Sequence, residues 1–243
     1  MAFDSSRLDA ALAALTAFDW GADPGPLATI DEAVVATHGG EALRADLERR
    51  LLGVLAGTAS RAAKEYVCRR LAVIGSAASV PGLARLLDDP HQSHMARFAL
   101  ERIDAPEAGA ALRAALATTT GQRRIGVVSS LVGRGDAGCV PLLADLLNAE
   151  PALAIAAAEG LGRLASPEAA AALAAAKPGP ADAAILDARL ACADAFLARG
   201  ERTQARGIYD AIAAGVGPTP TSHRDRALRI AATRGRLACL DRT

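Results

Sequence analysis

Apolar residues recur along most of this chain at spacings of three and four, the period of a helix with one buried face. The first set is Leu8, Leu12, Leu15 and Phe18, with Ser5 or Ser6 placed to cap the helix. Trp20-Gly21 and Asp23-Pro24-Gly25-Pro26 close it. A second set, Leu27, Ile30, Val34 and Val35, stops at Gly39-Gly40, and a third runs through Leu43, Leu47, Leu51, Leu52 and Leu55. From Ser60 the pattern alternates. Longer helices are expected near 61–74, 91–103, 122–133 and 152–164, and shorter ones near 80–88, 106–117, 140–148 and 167–176. Lys177-Pro178-Gly179-Pro180 breaks the register. Helices near 181–199 and 202–214 follow, then a last one capped by Ser222 with Leu228, Ile230 and Ala231. No period-two run argues for a strand, so the reading is all-helical, with about twelve to fourteen helices.

The alternating part repeats itself. Val80-Pro81, Leu83, Leu86-Leu87 and Asp88-Asp89-Pro90 return as Val140-Pro141, Leu143, Leu146-Leu147 and Asn148-Ala149-Glu150-Pro151. Ala105-Pro106-Glu107-Ala108 with Leu112 returns as Ser166-Pro167-Glu168-Ala169 with Leu173. The interval is about 60 positions and holds two units of about 30, the range of stacked helical repeats. The pattern V-P-x-L-x-x-L-L-x-D-P from Val80 to Pro90, followed by Ala96-Arg97, Ala99-Leu100 and Ile103, resembles short HEAT-type repeats. Repeats of this kind also occur in phycobilisome-lyase-like proteins. The resemblance covers about Ser60 to Ala176. It implies a right-handed α-solenoid of stacked antiparallel helix pairs, with residues 1–59 as an N-terminal cap, 60–177 as repeats and 178–243 as a C-terminal cap. Phe196, Gly200, Ala205 and Tyr209 resemble a single tetratricopeptide hairpin, although Arg189 stands where that motif carries Trp.

Composition agrees with a thin core. Aromatic residues are only 3% of the 243 positions, and small residues let helices approach closely. The 27 basic and 27 acidic side chains balance, which argues against nucleic acid or anionic lipid as the main partner. Arg is concentrated in the long helices, while Asp and Glu favour the short helices and turns. Cys68, Cys139, Cys192 and Cys239 are widely spaced and read as reduced thiols. No signal peptide or membrane span is expected, so a cytoplasmic monomer is the reading. Trp20, the only tryptophan, is expected to be a packing anchor at the end of its helix.

Catalytic motifs are thin. The chain lacks G-x-S-x-G, a phosphate loop and G-x-G-x-x-G. His91 and His94 have helical spacing without an evident third metal ligand. HEAT-fold hydroxylases use paired His-Glu dipeptides, and none is present. HEAT-like DNA glycosylases use an aromatic-lined cleft, whereas the long helices here offer only Tyr66 and Phe98. The expectation is a non-catalytic protein-binding scaffold with no cofactor or metal. A HEAT-like lyase acting on a bound chromophore or protein, and a nucleic-acid binder, are the alternatives.

The binding surface follows from helix geometry. With Leu71, Leu100, Leu131 and Leu161 as core anchors, residues two before and two after point about 160° away. These rows hold Arg69, Phe98, Ser129 and Glu159, then Val73, Arg102, Gly133 and Arg163. Six before the anchors lie Glu65, His94, Ile125 and Ile155. The candidate partner-binding groove is therefore Arg69, Val73, His94, Phe98, Arg102, Ile125, Ser129, Ile155, Glu159 and Arg163. Apolar residues ringed by Arg have the composition of a protein-binding hot spot.

Overall fold

Prolines and short polar side chains set where the helices begin. Pro106, Pro151 and Pro167 each occupy a first helical position, where the missing N–H has no partner to lose. Ser60, Ser166 and Ser222 accept backbone N–H bonds at the starts of their helices, at 3.0–3.1 Å. The computed structural model describes residues 4–179, 181–219 and 222–240; Pro180 of the expected register break lies outside them.

Among the described residues there are fourteen α-helices and no strand. They are α1 Ser5–Ala17, α2 Ala28–Ala36, α3 Glu41–Ala56, α4 Arg61–Ile74, α5 Val80–Ala84, α6 Ser93–Arg102 and α7 Pro106–Thr118. The remainder are α8 Gly121–Gly133, α9 Val140–Leu146, α10 Pro151–Leu164, α11 Pro167–Ala175, α12 Asp182–Ala198, α13 Arg202–Val216 and α14 His223–Ala238. No described helix is long and apolar enough to cross a membrane.

The differences from the sequence reading have local causes. The first helix is capped by Asp4, whose carboxylate accepts from Ser6 N and Arg7 N, and not by Ser5 or Ser6. The fifth helix stops at Ala84, and the sixth starts at Ser93 instead of 91. Between them the chain turns tightly, with Leu87 N bonded to Ala84 O and Asp89 N to Leu86 O. The Asp89 carboxylate then holds His91 N at 2.8 Å and Gln92 N at 3.0 Å. Val35 and Ile230, read as inward-facing, are exposed; Ala33 and Ala232 take the buried positions beside them.

The chain divides into two compact units, Met1–Arg134 and Gly135–Thr243. The division falls inside the 60–177 stretch read as one run of repeats. In the first unit, α4 packs on α6 and α6 on α8, while α3 packs on α5 and α5 on α7. Helices α5, α6, α7 and α8 also pack in sequence, closing the two rows over Val67, Leu71, Leu83, Leu100, Leu112 and Leu131. Helices α2 and α3 cover one side of α4. In the second unit, α9 packs on α10 and α11, α10 on α12, α12 on α13, and α13 on α14. Its core holds Leu143, Leu161, Leu173, Phe196, Tyr209 and Ile212.

Candidate functional site

In the first unit the anchors Leu71, Leu100 and Leu131 are fully enclosed. The residues two positions away face out. Val73 is 61% exposed on α4. Arg69, His94, Arg102 and Ser129 are exposed, and Phe98 and Ile125 are half-buried. Phe98 and Arg102 meet directly: the Arg102 guanidinium lies 3.7 Å from the Phe98 ring centroid and donates to Phe98 O at 3.0 Å. Ile125 and Ser129 are joined through a hydrogen bond from Ser129 Oγ to Ile125 O. Glu65 does not share this outward face. It is buried and accepts from Arg61 Nε at 2.8 Å, because α1 and α2 cover that end of α4.

In the second unit, Ile155, Glu159 and Arg163 line one groove of ≈ 490 Å³ between α10 and α12. Its floor is made of small residues: Gly162, Ala184, Ala188 and Ala191. A Cβ on Gly162 would stand 2.9 Å from the Ala188 backbone, so this glycine sets how closely the two helices approach.

The arginines of the long helices are not a free basic layer. Arg97 lies between α6 and α8 and donates to Gly126 O at 2.9 Å and Ser130 Oγ at 3.2 Å. Burial lowers its pKa, partly offset by the Glu101 carboxylate. A Cβ on Gly126 would meet the Arg97 guanidinium at 2.5 Å, so a larger residue there would displace the guanidinium from this position. Arg70 pairs with Asp31 at 2.6 Å and stacks on Tyr66, and Arg123 pairs with Asp88 at 3.2 Å. Arg134 donates to Leu100 O, Ile103 O and Ala105 O at the end of α6. These contacts withdraw much of the positive charge on which a nucleic-acid reading depends. Arg69, Arg102 and Arg163 remain exposed.

The sequence reading missed two features. One is the use of Arg to close helix C-termini from a neighbouring helix: Arg44 on Ile74 O and Gly75 O, Arg134 on α6, and Arg199 on Ala165 O. The other is Trp20. It anchors no core and stands 67% exposed at a hollow lined by Phe18, Tyr66 and Arg69. The Tyr66–Arg70 spacing of four, on a helix beside the Asp-Pro-Gly-Pro turn, was the available signal for that hollow. His91 and His94 are exposed, and among the described residues no three metal-ligating side chains come together. No protein-family model matches the chain, and no curated protein matches it in sequence.

Proposed function

We propose that this chain is a non-catalytic protein-binding scaffold built of HEAT-like helix pairs, which recruits a protein partner through the outward rows of its long helices. The observation that carries the reading is the Phe98–Arg102 pair: an aromatic ring outside the core, under a guanidinium, on the middle one of three adjoining helices. A cation held over an aromatic face is stabilised locally by about 0.5–1 kcal/mol at exposed sites. It also presents a flat, amphipathic contact at low entropic cost. Val73 on the neighbouring α4 and Ile125 on the neighbouring α8 extend the apolar area, with Arg69 at its edge. Aromatic residues and Arg dominate the energetics of protein interfaces, whereas scattered exposed Leu or Ala do not.

The test is capture of partner proteins from the native host by wild type, Phe98→Ala and Arg102→Glu. Each variant is expected to weaken capture of the same partner by at least tenfold, with stability changed by about 1 kcal/mol or less, as for other surface positions. Unchanged capture by both stable variants would move the functional surface elsewhere. Unfolding of Phe98→Ala would return the ring to the core.

A further inference from the structure

Helix α14 is covered on one side. Leu228 and Ala232 turn into the second unit, while Ile230, Leu237 and Leu240 stand more than half exposed. Ile230, Thr233 and Leu237 follow one another at spacings of three and four, which places them on one face. Arg226, Arg229 and Arg234 join Ile230 and Thr233 around a hollow of ≈ 420 Å³ on that face.

The charges of this face do not balance. Other arginines of the helix are matched: Arg224 pairs with Asp187 at 2.9 Å and Arg236 with Asp210 at 2.5 Å. Arg229 donates to Gly217 O at 3.0 Å, a neutral acceptor that leaves its charge standing. Among the described residues no carboxylate lines the hollow or pairs with Arg226, Arg229 or Arg234. Asp225 lies one helix step of about 100° round from Arg226, half-buried in the first turn. An exposed apolar row beside three unmatched guanidiniums selects an occupant that is both apolar and anionic.

The chain carries such an element itself. Trp20, its only tryptophan, is exposed in the turn after α1. The exposed Asp19 and Asp23 flank it, and their carboxylates accept only backbone N–H groups: Asp19 Oδ1 from Trp20 N at 2.9 Å and Asp23 Oδ1 from Gly25 N at 2.9 Å. The charges behind the indole are matched, Asp31 with Arg70 and Glu65 with Arg61 and Arg69. The turn therefore presents an indole with two surplus negative charges, and its own bonds keep the ordering cost of docking small. The chain has no net charge, so no overall repulsion opposes self-association.

We propose that two copies of this chain associate with the Trp20 turn of one seated on the α14 face of the other. The indole lies along Ile230 and Leu237, and the two carboxylates take guanidinium forks beside them. Two α14 faces would set arginine against arginine, and two Trp20 turns aspartate against aspartate, so the contact joins unlike surfaces. The inference does not rest on the Phe98–Arg102 face, whose residues line neither hollow.

Unlike surfaces can be tested one at a time in the full chain. Ile230→Asp keeps the Trp20 turn and spoils the receiving face, whereas Trp20→Ala keeps the face and has no tryptophan emission. Circular dichroism checks that both fold, and neither should self-associate in sedimentation. A small contact is weak, so the Trp20→Ala chain is added to the Ile230→Asp chain up to about 1 mM while Trp20 emission is recorded. A saturable blue shift is expected, with a sedimenting mass of one pair. Adding Arg226→Glu and Arg234→Glu to the Trp20→Ala chain should weaken the pair at least tenfold. So should Asp19→Asn with Asp23→Asn in the emitting chain, which removes charge but keeps an oxygen for each N–H bond of the turn. Arg102→Glu in either chain should change nothing. If Ile230→Asp does not fold, Arg226→Glu with Arg234→Glu replaces it as the emitting chain. No saturable shift, an equal shift with the glutamate-bearing face, or full binding by the asparagine variant would overturn the proposal. A loss with Arg102→Glu would move the contact to the long-helix face and overturn it as well. Because Arg102→Glu is silent here and disruptive for partner capture, failure of one reading is distinguishable from failure of the other.

Discussion

Gly53 and Gly162 are both interior helical glycines, and space alone separates them. An added Cβ at Gly53 meets nothing within 4 Å, whereas at Gly162 it would stand 2.9 Å from the Ala188 backbone. Alanine improves helix propensity by about 1 kcal/mol at either place. At Gly162 that gain is outweighed by overpacking, which costs about 1–3 kcal/mol when backbone must shift. Thermal melts should therefore show Gly53→Ala raising the midpoint and Gly162→Ala lowering it. The thiols make a second residue-scale case. Burial pushes Cys68 up to about 12, helped by the Glu65 carboxylate, and pushes Cys192 up to about 11. Unfolded thiols titrate near about 8.5, so the protonated thiols' contribution is complete below that pH and is lost as pH rises toward the folded values. Stability should fall above roughly pH 9, before the tyrosines ionise. Tyr66 and Tyr209, both also held up by burial, act higher still. Replacing Cys68 and Cys192 by Ala should flatten the melting-temperature profile between about pH 9 and 10. A profile as steep as wild type would refute the thiol origin.

Helix ends are where this fold invests its arginines. Arg134 gathers four carbonyls at the exit of α6, those of Leu100, Glu101, Ile103 and Ala105, and Arg199 reaches the exit of α10 in the second unit. Hydrogen bonds to charged groups contribute about 1.5–3 kcal/mol, and half-buried carbonyls left without a donor cost a similar amount. Arg134→Ala should lose about 2–3 kcal/mol by urea unfolding, more than typical surface substitutions. Helix existence was legible because apolar spacing and N-terminal prolines are local signals: Pro106 and Pro167 start their helices where the pattern placed them. The exposed positions of Arg69 and Arg102 followed from the same arithmetic, while Phe98, placed on the same row, is half-buried. What was illegible needed the neighbour. Nothing near Arg134 in sequence says that its guanidinium closes α6, and nothing near Trp20 says that no helix covers it. Ile230 likewise fits an inward row by spacing, but α14 turns Leu228 and Ala232 toward the core instead.

At the scale of the whole molecule, helix packing is distributed along the chain. Helices α2 and α3 cover α4 and α5 in the first unit, closely enough that a Cβ on Gly82 would lie 3.2 Å from Leu52. In the second unit α12 covers α10, with Cys192 Sγ 3.8 Å from Leu161 O. A fragment of residues 60–177 lacks both covers, and its exposed apolar rows should drive aggregation. Light scattering and a melt of the isolated fragment check this; a monomeric fragment as heat-stable as the full chain would contradict it. The arginine at the end of α8 also bears on proteolysis. The Arg134–Gly135 bond separates the two compact units, and a trypsin-like enzyme would look for an arginine there. To be cut, that side chain must leave its carbonyls and enter the protease, so cleavage waits on the opening of the α6 exit. The boundary is thus shielded by the very residue that marks it, and proteases that read the glycine side of the bond escape that restraint.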